Sequence, residues 1–430
     1  MMKIFRKIHL WLSVPFGIII TLICFSGAML IFEPEITRSI KSDVYYVSSS
    51  EGDALPLGEL METVKATLPD SVSITGVTVF ADKDRTYQVN LSKPRRASLF
   101  IDQYSGQITG KYERIGFFST MFKLHRWLLD SANPHGEGVK VGKLLVGIST
   151  LIFVIALITG VIIWWPRARK NFRRSMTISF KDGWRGLWKG LHVAGGMYAL
   201  LFVLAMSLTG LTWSFNWYRT AFYAVCGVEH TPRNFGASTS EKSEERGHGS
   251  EGRESEGRGN HRGGRRGEQG EGRREGRGEG RGEGRGEGRG EGRGEGRGEG
   301  RRHHSEFGRW QQVYESLKAQ NPEAPQITVG PETASVTLGS TGNGRASDKY
   351  EFNRRSGEIT PVTKYADSVP ADKLRGWIYA VHTGSWGGVV TRILWLLGAL
   401  LGASLPLTGY YIWIKHLRRK KHHEPTIKKN

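Results

Sequence analysis

Apolar residues collect into four long, almost unbroken runs, Leu10 to Phe32, Leu144 to Trp165, Leu191 to Phe215 and Val389 to Ile414. Each reaches the roughly 20 residues that carry an α-helix across a hydrocarbon core of about 30 Å, so the pattern predicts four transmembrane helices. The first run follows the basic leader "MMKIFRK" but exceeds the apolar core of a secretory signal, and it reads as a retained helix. Between the runs the period changes. "LGELMETVKATLP" and "RWQQVYESLKAQNP" space their apolar positions as helices do, and each precedes short segments rich in β-branched residues. These segments are "SITGVTVF", "TYQVNLS" and "ASLFIDQYSGQITG" in one stretch, and "QITVG", "ASVTLGS" and "KYEFNRRSGEIT" in the other. "YSGQIT" and "RSGEIT" match as hairpin turns in which glycine takes a positive φ.

The order of elements repeats. A basic leader, His9, a span ending "FSGAMLIF", an α+β stretch, His125 and a span ending "ITGVIIWWPR" make the first half. A basic loop, His192, a span ending "LTGLTWSF", a second α+β stretch, His382 and a span ending "LTGYYIWIKH" make the second. His9 precedes Gly27 by 18 residues, and His192 precedes Gly210 by 18. The expected fold is a mainly α membrane protein, a four-transmembrane-helix bundle from two parallel repeats about the membrane normal, each with an external α+β module. Predicted boundaries put the first helix at 1–32 and the others at 144–165, 191–215 and 389–414. The modules fall at 33–116 and 306–370, and surface helices with their loops at 117–143 and 371–388. A basic loop at 166–190, an external segment at 216–235, an insert at 236–305 and a basic tail at 415–430 complete the chain.

The net charge of +20 is concentrated beside the spans: Lys3, Arg6 and Lys7, the loop from Pro166 to Lys189, and the tail from Lys415. That distribution places both termini and the middle loop in the cytoplasm and the two long segments outside, and it gives no reason to invoke nucleic acid. The insert is Gly, Glu and Arg with "RGEG" copies from Arg277, too poor in apolar side chains to offset chain entropy. It reads as a disordered, solvated spacer, with His303 and His304 as weak metal or polyanion contacts. The two cysteines, Cys24 and Cys226, supply no disulfide framework, covalent haem attachment or cysteine zinc site.

Four histidines occupy matching positions. His9 and His192 begin spans one and three on the cytoplasmic side; His125 and His382 sit on surface helices before spans two and four. A two-fold axis along the membrane normal brings each pair to one depth, where opposed imidazoles supply both axial ligands of a non-covalent haem b. His9 with His192, and His125 with His382, are thus the candidate iron ligands of two haems. Gly17, Gly195, Gly196 and Gly210 permit close approach of helices or a macrocycle. Arg126, Lys123, Arg375, Arg185 and Lys189 are candidates to pair with haem propionates, or snorkelling cations. Trp11, Trp127, Trp188, Trp213, Trp377 and Trp386 are haem-edge or interfacial-belt residues. His416, His422, His423 and His135 break the repeat and stand as spare ligands, His416 first because it ends span four.

"LHRWLL", "VHTG", "ITGVIIWWPR" and the paired α+β stretches resemble the PepSY-associated transmembrane family of bacterial inner-membrane proteins, over all but the insert. The resemblance implies PepSY-like modules outside the membrane, haem between the spans, and ferrisiderophore reduction. The expectation is a di-haem b oxidoreductase that reduces a periplasmic ferric siderophore or other ferric chelate and so releases iron. No glycine-rich nucleotide fingerprint follows a strand, so electrons come from quinol or a separate flavoprotein. The alternatives are a haem-free, membrane-anchored module that binds peptides or restrains a protease, and a small-molecule transporter. Against the transporter, the spans contain no acidic residue and no basic one away from their ends.

Overall fold

The computed structural model describes residues 2–94, 96–130, 141–180, 183–229 and 307–423. The expected insert at 236–305 lies outside them. In chain order the helices are α1 (Met2–Leu30), α2 (Glu33–Ile40), α3 (Ser42–Tyr45), α4 (Leu57–Thr67), α5 (Gly116–Trp127), α6 (Val141–Lys170), α7 (Phe172–Ser175), α8 (Gly183–Gly190), α9 (Gly196–Ser214), α10 (Asn216–Val225), α11 (Trp310–Gln320), α12 (Pro370–Thr383) and α13 (Gly388–His423). A π-helical turn, Leu191–Gly195, fuses α8 to α9. Four of the resulting helices, α1, α6, α8–α9 and α13, are long and apolar enough to cross a membrane.

These four form a bundle in which α1 and α9 each pack against both α6 and α13. Ile20, Phe153, Leu157, Ala199, Val203 and Leu405 meet at its centre. Glycines set the approach of α13 to α9: a Cβ at Gly398 would lie 2.6 Å from the Phe202 side chain, and one at Gly402 2.7 Å from Val203. Ile18, Ile158, Leu201 and Leu397 face outward and are exposed, as a lipid-facing surface requires.

The α+β stretches form one sheet rather than two separate modules. Its eight antiparallel strands run β4-β3-β2-β1-β5-β6-β7-β8. The first four are β1 (Ile74–Phe80), β2 (Tyr87–Leu91), β3 (Ser98–Ile101) and β4 (Ile108–Lys111); the second four are β5 (Gln326–Val329), β6 (Thr333–Thr337), β7 (Ser347–Phe352) and β8 (Ile359–Thr363). The join is β1 on β5, with Val77 opposite Val329 and Thr78 opposite Thr328. Each half alone would leave that strand edge unpaired, and edge-to-edge pairing removes the exposed ladder. The core is continuous too: Leu60, Met61 and Val64 of α4 and Trp310, Val313 and Leu317 of α11 are fully buried against Val77, Val89, Val329 and Val336. Gly106 and Gly357 close the matching hairpins with φ of 71° and 73°. In both turns a side chain, Asp102 or Asn353, accepts from two backbone N–H groups.

Two ion pairs fasten the sheet end of the bundle. Glu33 accepts from Arg114 at 2.5 and 2.7 Å, and Glu35 accepts from Arg392 at 2.6 and 2.7 Å. Arg392 also donates to the Ile31 carbonyl. The segment that follows α1 is thereby held to the start of α13 and to the chain entering α5. Such forked pairs have the geometry that makes arginine–carboxylate contacts specific.

Candidate functional site

The four repeat-matched histidines meet in two pairs inside the bundle. At the end carrying both termini, called here the basic end, the His9 and His192 ring centroids are 6.3 Å apart with planes at 79°. At the sheet end, His125 and His382 are 6.1 Å apart with planes at 54°. His9 rides on α1, His125 on α5 and His382 on α12, while His192 lies within the π-helical turn. Such turns widen a helix locally and recur where a side chain must be aimed.

Each ring is seated through Nδ1 on a backbone carbonyl of a helix other than its own, and three of the four also on a threonine hydroxyl. His9 Nδ1 donates to the Ala156 carbonyl at 3.1 Å and to Thr159 Oγ1 at 3.0 Å. His192 Nδ1 donates to Leu405 O and Thr408 Oγ1, both at 3.0 Å. His382 Nδ1 donates to Met206 O at 2.9 Å and Thr209 Oγ1 at 3.1 Å, and His125 Nδ1 to Ile23 O at 2.9 Å. A carbonyl only accepts, so every Nδ1 carries the hydrogen. The threonine hydroxyls donate to their own helices, at Ile155 O, Ser404 O and Ala205 O, which leaves their oxygens to accept from the rings. The tautomer is therefore set at all four positions, with the lone pair on Nε2. Among the described residues no Nε2 has a hydrogen-bond partner. Burial holds the His125 imidazole below its usual range and lowers His382 to about 3, with the neighbouring ring reinforcing the effect at His382. Both rings are neutral, the state in which imidazole binds a metal.

A glycine follows each receptor hydroxyl. A Cβ at Gly27 would lie 2.8 Å from His125 Cε1, at Gly210 3.1 Å from His382 Cε1, at Gly409 3.3 Å from His192 Cε1, and at Gly160 3.6 Å from His9 Cε1. The receptor sequence is thus a carbonyl, a hydroxyl three residues on, and a glycine after that: Ala156, Thr159, Gly160; Met206, Thr209, Gly210; Leu405, Thr408, Gly409; and Ile23, Ser26, Gly27, where the Ser26 hydroxyl donates within its own helix and the carbonyl alone accepts from His125. In the sequence these Ser-Gly and Thr-Gly pairs mark span ends, and the 18-residue spacing relates His9 to Gly27 on the same helix; in the fold His9 faces Gly160 and Gly27 faces His125. The recurrence of a small hydroxyl before glycine in all four spans was the available signal.

Each pair opens on a cavity. That of the sheet end measures about 750 Å³ and that of the basic end about 420 Å³, both within the range of ligand sites. Of the cations expected from sequence, Arg126 lines the sheet-end cavity, whereas Lys123, Arg375, Arg185 and Lys189 line neither; Arg375 pairs with Asp372 at 2.7 Å. Lys143, Arg392, Arg6 and Arg167 line the cavities and were missed. Trp127 and Trp213 border the sheet-end cavity, with Trp213 edge-on to His382 at 5.0 Å. The Trp11 side chain is largely exposed, Trp188 stacks on Tyr411, and Trp386 meets Trp395. Gly17 makes room for Tyr410, and Gly195 and Gly196 for leucines, so of the glycines singled out only Gly210 faces a histidine. His416 lines the basic-end cavity; His135, His303 and His304 lie outside the described residues. Cys24 and Cys226 are both free thiols.

The family described as the PepSY-associated TM region covers residues 6–416, while a comparison with curated proteins finds no match. With four membrane-crossing helices and a match over nearly its whole length, the chain is a multi-pass membrane protein that belongs to the PepSY-associated TM region family.

Proposed function

We propose that this protein is a duplicated, di-haem b electron-transfer protein of the bacterial inner membrane. It reduces ferric chelates, foremost ferric siderophores, on the periplasmic side, where the sheet end faces, and its basic end faces the cytoplasm. The observation that carries this reading is the two opposed, tautomer-fixed imidazole pairs at two levels of one bundle. The spacing fits the group. Ring centroids 6.3 and 6.1 Å apart leave room for one metal ion between the imidazoles of each pair. Among the described residues no cluster of three metal-ligating side chains forms, and two imidazoles alone suit an iron whose other positions a macrocycle fills.

His9 and His192 would hold one haem, His125 and His382 the other. When bound, the two groups supply reversible one-electron chemistry at two depths. The chain's own contribution is to orient the imidazoles through Nδ1, to raise their basicity through those hydrogen bonds, and to exclude water from the central wall. One electron converts Fe(III) to Fe(II), which an oxygen-rich chelate holds less tightly, so iron is released. The electron enters from quinol or a separate flavoprotein.

Protein purified from haem-replete cells is expected to be red, with low-spin spectra and pigment that acid-acetone removes. The dithionite-reduced form should be reoxidised by a ferric chelate. Colourless protein would favour the haem-free binding module or the transporter. The Nδ1 contacts give a further expected outcome. Thr408→Val deletes one acceptor from His192 and leaves Leu405 O, so the haem stays and its midpoint potential moves in a redox titration. An unchanged potential would mean that the hydroxyl does not act on the ligand.

A further inference from the structure

The two cavities share a wall. Ile20 and Phe153 line both, and Leu157, Val203 and Leu405 pack around them. Charge is absent from this wall and lies at the far ends. At the basic end Arg6, Arg167 and His416 line the cavity, with no carboxylate among its described lining residues. Arg167 and His416 each stand seven residues after a receptor glycine, and Trp164 and Trp413 each four after, so α6 and α13 present matching groups. His416 thus takes the position of an arginine rather than that of a ligand. The indole Nε1 of Trp164 is buried and, among the described residues, has no hydrogen-bond partner. A buried donor in that state is costly until something accepts from it. At the sheet end Arg96, Arg114, Arg126, Lys143 and Arg392 line the cavity together with the Glu33 carboxylate, which accepts from Arg114, while Glu35 accepts from Arg392.

A b-type porphyrin has one apolar edge and one edge bearing carboxylates. A carboxylate against Ile20 and Phe153 would be desolvated and unpaired, whereas the apolar edge loses nothing there. We propose that both macrocycles lie with their carboxylate edges turned away from each other. Arg6, Arg167 and the Trp164 N–H hold the basic-end carboxylates, and Arg126 and Lys143 hold the sheet-end ones. The apolar edges then face across Ile20 and Phe153, which makes the shared wall the shortest gap between the two rings. This rests on the di-haem reading above.

The test loads full-length apoprotein with haem or with haem dimethyl ester, which keeps the iron and the ring but has no carboxylates. Pigment transfer to apomyoglobin is then timed. Hydrogen bonds to charged groups are strong enough that wild-type protein should lose the ester roughly tenfold faster than haem, or more. Arg167→Gln and Trp164→Phe should speed the loss of haem from one site and leave the ester rate unchanged, while Arg167→Lys restores wild-type haem retention. In redox titrations Arg167→Gln should lower one midpoint potential and Arg126→Gln the other. Failure of wild-type protein to bind either pigment would overturn the di-haem reading itself. Low-spin binding of both pigments with equal retention, or an Arg167→Gln effect equal for haem and ester, would overturn the orientation alone.

Discussion

His382→Ala should leave the protein with one haem instead of two, and the haem that remains should be the one between His9 and His192. On the proposed di-haem reading the site would lose one of its two protein ligands, and the partner imidazole cannot compensate: His125 is anchored through Nδ1 to Ile23 O at 2.9 Å, on a different helix. Removing the ring also takes one donor from the Met206 carbonyl and from the Thr209 hydroxyl, although Thr209 Oγ1 still donates to Met206 O, so a fall in stability of about 1 kcal/mol is expected beside the lost pigment. Pyridine haemochrome measurement gives the stoichiometry, and added imidazole separates the two effects, since it replaces the ligand without repairing the helix contact. His125→Ala should behave alike. His9→Ala and His192→Ala should remove the other haem, and His416→Ala should remove neither. Retention of both haems in His382→Ala and in His192→Ala would show that these rings do not bind iron. Loss of one in His416→Ala, with His9→Ala and His192→Ala unaffected, would move the basic-end ligand to the tail.

Much of this site was legible because a membrane simplifies the code. A run of about 20 apolar residues has few readings, and the equal spacing of His9 and His192 from their span-end glycines needs no fold to be seen. Pairing across the bundle then follows from the two-fold order of elements. What was not legible depends on contacts between the halves. The β1–β5 junction joins Val77 to Val329, residues far apart in sequence, and each α+β stretch has a complete pattern of its own, so nothing local announces a shared sheet. The receptors were hidden for the same reason, since every histidine is seated on a helix other than its own. Arg126 stands next to His125 in the sequence and lines the same cavity, whereas Arg167 is carried by the helix opposite its histidines and nothing in the sequence beside them points to it. The clamp of Glu35 on Arg392 escaped because a repeat-based reading looks for symmetry. Arg392 and Lys143 both stand 17 residues before a receptor glycine, and the segment after α1 grips the arginine through Glu35 and Ile31.

The receptor glycines yield a graded result, and Gly27→Ala should show the largest effect. Its Cβ would lie 2.8 Å from Cε1 and 3.0 Å from Nδ1 of His125, closer than carbon atoms approach without displacement. The ring has no easy retreat, because the carbonyl that holds its Nδ1 belongs to Ile23, one helical turn before Gly27. It must give up that bond or tilt Nε2 away from His382, and either change weakens the sheet-end site. The same substitution at Gly160 places the Cβ 3.6 Å from His9 Cε1, ordinary van der Waals contact, and should be harmless. Haem retention should therefore fall most for Gly27→Ala, less for Gly210→Ala at 3.1 Å, less again for Gly409→Ala at 3.3 Å, and not at all for Gly160→Ala. Alanine is favoured over glycine within a helix by about 1 kcal/mol, so the helices themselves should not weaken. That separates this effect from misfolding: Gly27→Ala should unfold no earlier than wild type when both are stripped of haem, yet lose pigment from one site. Full retention in Gly27→Ala, or a loss in Gly160→Ala that exceeds it, would mean that the glycines serve helix contact and that the imidazoles are positioned by something else.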